Sequence, residues 1–198
     1  MTASEPGLED AAVSDFLFDF DAFEQMDQAG LFQRAWGRVQ LIEGRLLEMA
    51  PTSSDHGDTS GEALFALKSA AITAGIAADF RFLIHATLKI GEHNAPEPDL
   101  MIVRTFTGRK YAEAADAVLV VEVSISTCDG DLKLRAPLYA RAGVPEFWVI
   151  EPEERRLTIF RAPQPNGSWA STMVHDDHDD AISPLFAPQI RITLPELF

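Results

Sequence analysis

The spacing of apolar residues changes several times along the chain, and each change marks an element. Leu17, Phe20, Phe23 and Met26 recur every third position and predict a short helix over residues 17–29, stopped at Gly30. Val39–Ile42 and Arg45–Met49 flank Glu43-Gly44, a two-residue turn whose glycine accepts positive φ, so a type I′ hairpin is expected there. Asp55 is placed to cap a helix running through Leu64, Leu67, Ala70 and Ala71 to Gly75. Strands follow near Phe80–Ile84 and Thr87–Ile90. Leu100–Val103 and Ala117–Val123 are short, continuous apolar runs rich in β-branched residues, the pattern of buried central strands.

A helix over residues 130–142 ends at Gly143, and Pro137 inside it implies a kink or a later start. Phe147–Ile150 and Leu157–Phe160 form the next strand pair. Short strands near Trp169–Val174 and Ile190–Thr193 close the chain on either side of an acidic tract. Mixed strands and helices with no internal repeat and no linker predict one α/β domain over residues 15–198, behind an aperiodic acidic tail at residues 1–14.

Composition then narrows the function. The 198 residues are 46% apolar and carry a formal charge of -15. Much of that charge is local: residues 1–33 hold eight acids and no Lys or Arg before Arg34, and the tract His175–Asp180 holds four aspartates. The remainder is only mildly acidic, which leaves room for a local basic groove but no strong basic stripe for tight nonspecific DNA binding. The single cysteine, Cys128, excludes an intramolecular disulfide framework and a multi-cysteine zinc site, and fits a reducing, cytoplasmic setting. No apolar run reaches the ~20 residues of a membrane span.

Two acids carry the chemical signal. Asp99 opens the strand Leu100–Val103, and Glu122 stands near the end of Ala117–Val123. Antiparallel pairing of Val103 with Val118 would set Asp99 opposite Glu122 at one end of the sheet. Two juxtaposed carboxylates in an apolar setting are costly unless they share a cation, and they suit Mg²⁺ or Mn²⁺. Such a metal assists phosphodiester hydrolysis. An alternative of equal standing is structural: Asp99 caps a turn after Pro98, and Glu122 pairs with an arginine at the sheet end.

Several blocks in order carry a family resemblance: Phe23–Leu31, Val39–Gly44, Met49-Ala50-Pro51 with His56, Pro96–Leu100, Leu119–Ser124, Asp131, Leu138–Trp148, Ser183–Phe186 and Leu194–Phe198. Together they resemble the Uma-type restriction-endonuclease-like family of the PD-(D/E)XK nuclease superfamily, over residues 20–198. The resemblance implies a restriction-endonuclease-like fold, a mixed central β-sheet flanked by helices, preceded here by an N-terminal helix and β-hairpin. It also implies that Pro98-Asp99 is the PD element and Glu122 the (D/E) element, both metal ligands in a Mg²⁺- or Mn²⁺-dependent endonuclease acting on nucleic acid, DNA in the first instance.

The chain departs from that pattern at the lysine. Ser124 stands two residues after Glu122, where the superfamily has Lys, and Ile125 replaces a frequent acid. In the Uma-type family a helix lysine four residues after the position of Asp131 takes over, and this chain has Arg135 there, with Lys133 two residues earlier. Two residues of helix turn a side chain by about 200°, so Lys133 and Arg135 cannot both face one site. Arginine can grip a phosphate but stays protonated and cannot act as a base. The departures define an alternative function, a catalytically degenerate member that binds nucleic acid or protein.

Weaker candidates complete the reading. His56 matches a recurrent histidine of the family and is a candidate contact to substrate or metal, though a helix-start hydrogen bond is the simpler role. Ser124 and Ser126 are candidates to line the site. Glu48 is expected to face solvent, Glu62 on the long helix is a minor candidate ligand, and His175–Asp180 reads as a solvated acidic loop. Tyr139, Phe147 and Trp148 are expected in the core. Cys128, beside Asp129 and Asp131, is not expected to be a reactive thiol. The apolar C-terminal segment, Leu185–Phe198, would suit a homodimer packed across a two-fold axis.

Overall fold

The computed structural model describes residues 15–125 and 129–198, with side chains from Lys133 onward in the second segment. The expected acidic tail, Ser126 and Cys128 lie outside the described residues. The chain opens with helix α1, Phe20–Gln28, whose first turn is capped by Asp19 accepting the Ala22 N–H. Strands β1, Arg38–Ile42, and β2, Arg45–Met49, form the expected hairpin. Glu43 and Gly44 both take positive φ, at 49° and 74°, as a type I′ turn requires. Helix α2, Ser54–Thr73, is capped by Ser53, two residues earlier than the expected Asp55, because the Ser53 hydroxyl accepts the His56 N–H at 3.2 Å.

The remaining elements are β3 (Phe80–Ile84), β4 (Leu88–Lys89), β5 (Leu100–Arg104), β6 (Ala112–Glu113), β7 (Ala117–Val123), α3 (Asp129–Arg141), β8 (Glu146–Glu151), β9 (Arg156–Pro163), β10 (Trp169–His175), β11 (Ala181–Ile182) and β12 (Ile192–Thr193). Six of them make one mixed sheet in the order β10-β9-β8-β7-β5-β3. All neighbours are antiparallel except β7 and β8, which run parallel because α3 carries the chain back across the sheet between them. Pro137 lies inside α3 without ending it. The predicted strand at 87–90 is shorter than expected and pairs in parallel with β6, outside the main sheet.

Alternation along the strands divides the core into two layers. Leu100, Ile102, Leu119, Val121, Trp148 and Ile150 face α2, packing on Ala63, Ala66, Leu67 and Ala71. Met101, Val120, Phe147 and Val149 face α3, packing on Leu138 and Tyr139, and the hairpin adds Ile42 to this side. The C-terminal segment belongs to the first layer. Ile190, Ile192, Leu194 and Leu197 are buried in the chain's own core, while Leu185 of the same segment is 47% exposed. No helix among the described residues is long and apolar enough to cross a membrane.

Candidate active site

The register of β5 on β7 positions the site. Leu100 pairs with Val121 and Met101 with Val120, which sets Asp99, just before β5, opposite Glu122. The expected partner of Val103 is displaced: a bulge between Ile102 and Val103 moves it from Val118 to Ala117, at the end of the strands remote from the acids. Side chains two apart on a strand share a face, so Glu122 follows Val120 toward α3. Asp99 and Glu122 are only 5% and 4% exposed, yet both line one cavity of about 300 Å³ at the sheet end.

Each carboxylate has its own partners. Asp99 Oδ2 accepts the Val123 N–H at 2.8 Å and lies 3.1 Å from His56 Nε2; Oδ1 lies 3.6 Å from His85 Nδ1. Glu122 Oε1 accepts the Tyr139 hydroxyl at 2.7 Å and stands 2.7 Å from Arg135 Nη1. Arg135 Nη2 donates to Gln40 Oε1 at 3.3 Å, tying the hairpin to the site. Tyr139 and Arg135 are four residues apart on α3 and so reach the same carboxylate. His56 belongs to the first turn of α2 and reaches Asp99 around the end of the sheet.

Burial and charge set the protonation balance. Burial pushes Glu122 up to about 7, against the opposing charge of Arg135. Burial also raises Asp99, but the His56 hydrogen bond and charge, the Val123 N–H and Arg135 outweigh it and leave it below its ordinary value. The Asp99 hydrogen bond raises His56, while burial and the neighbouring Arg38 lower His85. Burial holds the Tyr139 hydroxyl well above its usual range, so it donates to Glu122 as a neutral phenol. Arg135 is buried, and the charge of Glu122 keeps it firmly protonated despite that burial.

The site gathers Asp99, Glu122, Arg135, His56 and Ser124 around one cavity. Lys133 is not part of this wall; it lines a separate cavity with Phe147, Phe160 and Trp169, as the helical rotation between it and Arg135 requires. Glu48 is exposed, Glu62 is exposed on α2, and His175 contacts Asp180 at 2.9 Å in the acidic loop. Four residues were not singled out by sequence as site residues. Arg38, Gln40 and His85 surround the carboxylates, and Tyr139 was read only as core. Arg38 Nη1, Gln40 Nε2, His56 Nδ1 and His85 Nδ1 are all buried without a hydrogen-bond partner. His85 takes φ 47° in the link between β3 and β4, a left-handed conformation that histidine tolerates better than most residues. The spacing of Tyr139 from Arg135 was the signal that could have revealed it.

The donor set fits a hard divalent cation. Two carboxylates share a cavity with room for water, the oxygen donors such a cation takes, and since no group of three His, Cys, Asp or Glu side chains among the described residues is placed to hold a metal ion, water or substrate oxygens would have to complete its shell. The Arg135 guanidinium already sits against Glu122 Oε1, so a cation at the pair would share or displace that contact.

The comparisons identify the family and the fold. The profile of the Uma2 family, described as "Putative restriction endonuclease", matches residues 20–195, and the chain belongs to that family. A crystal structure described as a "putative nuclease belonging to DUF820", from Anabaena variabilis, shares the fold: TM-score 0.65, 18% identity, covering 81% of this chain and 89% of that one. No curated protein matches the sequence.

Proposed function

We propose that the protein is an endonuclease that hydrolyses phosphodiester bonds of nucleic acid, DNA in the first instance, with Mg²⁺ or Mn²⁺ held by Asp99 and Glu122. The observation that carries this reading is the burial of both carboxylates against one cavity, opposite each other on neighbouring strands. A divalent cation bound there supplies water activation and charge neutralisation. The chain's own residues do the rest. The Val123 N–H and His56 fix the Asp99 carboxylate, and the Tyr139 hydroxyl fixes Glu122. Arg135 presents a permanent positive charge to phosphate oxygens and stabilises charge developing on them, but it takes no proton. His56 keeps a proton at Nε2 toward Asp99 more readily than a free imidazole does. Ser124 lines the wall as a candidate substrate contact. A single cysteine and the lack of a membrane-crossing helix among the described residues are compatible with a cytoplasmic location.

One observation favours a second reading. Arg135 neutralises Glu122 without any metal, the arrangement expected of a member that binds nucleic acid or a protein but does not cleave. Plasmid and single-stranded DNA incubated with the protein in Mn²⁺, Mg²⁺ or EDTA separates the two. The endonuclease reading expects metal-dependent cleavage that falls at least about 100-fold in Asp99→Asn and in Glu122→Gln. Cleavage that both variants retain, or no cleavage and no metal binding by the wild type, overturns it, and the second of these outcomes favours the binding module.

A further inference from the structure

Trp36 is 76% exposed, and its surroundings show that this exposure is built into the fold. Glu48 accepts the backbone N–H groups of both Trp36 and Gly37, the latter at 3.0 Å, which pins the chain just ahead of β1. Gly37 is pressed so closely onto β2 that a Cβ there would stand 1.7 Å from the Met49 carbonyl oxygen. Met49 pairs with Arg38, and both line the cavity that holds Asp99, Glu122 and Arg135. Gly37 thus rests against Met49 and Ala50, both of the cavity wall, and the backbone of Trp36 is one residue from that contact. Arg38 brings a second guanidinium to the same wall, where its Nη1 also stands 3.6 Å from Glu97 Oε2.

The charge of the chain decides what such a site can recognise. Without a strong basic stripe on the chain, counterion release from a duplex backbone offers little binding energy. Stacking on an aromatic ring is the other general source of affinity for nucleic acid. It needs no basic stripe, but it needs a base whose face is open. Resting on the endonuclease reading above, we propose that Trp36 is a stacking platform for an unpaired nucleobase beside the scissile phosphate, and that single-stranded nucleic acid is the substrate class of this site. Arg38 and Arg135 face the adjoining phosphate.

The full chain titrated with a short oligothymidylate, and with a hairpin duplex, tests the proposal in EDTA and again in Ca²⁺, an oxygen-binding cation. Trp148 is fully buried and the Trp169 indole donates to the Ala136 carbonyl at 3.1 Å, so both give a steady fluorescence background. The single strand is expected to quench wild-type tryptophan emission, and the quench is expected to vanish in Trp36→Phe and Trp36→Ala. Trp36→Ala weakens single-strand binding roughly 5- to 100-fold, and Trp36→Phe, which keeps a ring, restores most of it. An alanine variant that binds as tightly as wild type, or a duplex bound as tightly as the single strand, overturns the proposal and leaves the endonuclease reading standing. Failure of the wild type to bind either form overturns both.

Discussion

Arg135 Nη1 lies 2.7 Å from Glu122 Oε1, with the two side chains 10% and 5% exposed. The guanidinium therefore compensates a carboxylate that has almost no water to turn to. Removing one member of such a pair strands the other, at a typical cost of about 3–5 kcal/mol while it stays charged. Arg135→Ala is accordingly expected to lower the unfolding free energy by about 3 kcal/mol at about pH 8. The loss shrinks near pH 5, where Glu122 takes up a proton. Urea unfolding at the two pH values measures both; equal losses at the two would show that the charge of Glu122 is not what Arg135 compensates.

The raised value of Glu122 has its own consequence for stability. Its carboxyl protonates at about 7 in the folded chain against 4.5 in the unfolded one. Between those values the folded state binds more protons, so stability falls as pH rises. His56 acts in the same sense, since its contribution is complete below 6.5 and is lost as pH climbs through its raised folded value. Asp99, lowered by folding, acts oppositely and withdraws its contribution only as pH falls below 3.8. The melting temperature of EDTA-treated protein is thus expected to decline from about pH 5 to about pH 8, and Glu122→Gln to flatten that decline.

Metal binding predicts a thermal shift. A ligand present at 100 times its Kd adds about 2.7 kcal/mol to stability when it binds only the folded state. Mn²⁺ is expected to raise the wild-type melting temperature, EDTA to reverse the rise, and Asp99→Asn and Glu122→Gln each to abolish it. Arg135→Ala, which removes the competing cation from Glu122 Oε1 and leaves only the Tyr139 hydroxyl there, is expected to bind Mn²⁺ more tightly than wild type. A wild-type melting temperature indifferent to Mn²⁺ would exclude a metal site at the carboxylates.

Two glycines test the local geometry. Gly37→Ala forces a methyl group onto the Met49 carbonyl and is expected to cost about 2–3 kcal/mol, read by chemical denaturation. Gly61→Ala, on an open face of α2 with nothing within 4 Å, is expected to stabilise by about 1 kcal/mol through helix propensity. Equal effects from the two substitutions would show that Gly37 does not fix the approach of β1 to β2.

The pattern of apolar positions was enough to read the hairpin, both long helices and the central strands. The hairpin has a turn with one comfortable glycine position, the long helices end at Gly75 and Gly143, and the central strands are short apolar runs rich in β-branched residues. The opposition of Asp99 and Glu122 was also legible, because the register assumed from Val103 and Val118 holds from Leu100 to Ile102 even though Val103 itself pairs with Ala117. The bulge at Ile102 and Val103 was not legible, since nothing in the continuous apolar run 100–103 distinguishes one pairing from its neighbour. Nor was the pairing of Glu122 with Arg135 settled in advance: a partner for a buried acid can come from any element, and here it comes from the crossover helix. Gln40 and His85 escaped notice because each is one polar residue beside apolar ones. Their role depends on long-range packing that no local period records.

His56 descends from the helix on one face of the sheet, while Arg135 and Tyr139 rise from the helix on the other, and all three close on the same two carboxylates. The acid pair therefore works as a vernier between the two layers. A slide of either helix along the sheet, too small to open the core, changes which carboxylate oxygen is neutralised and by whom. Substitutions deep in either layer, far from the cavity, should then register first as an altered charge state of Asp99 and Glu122 and only later as lost cohesion of the fold.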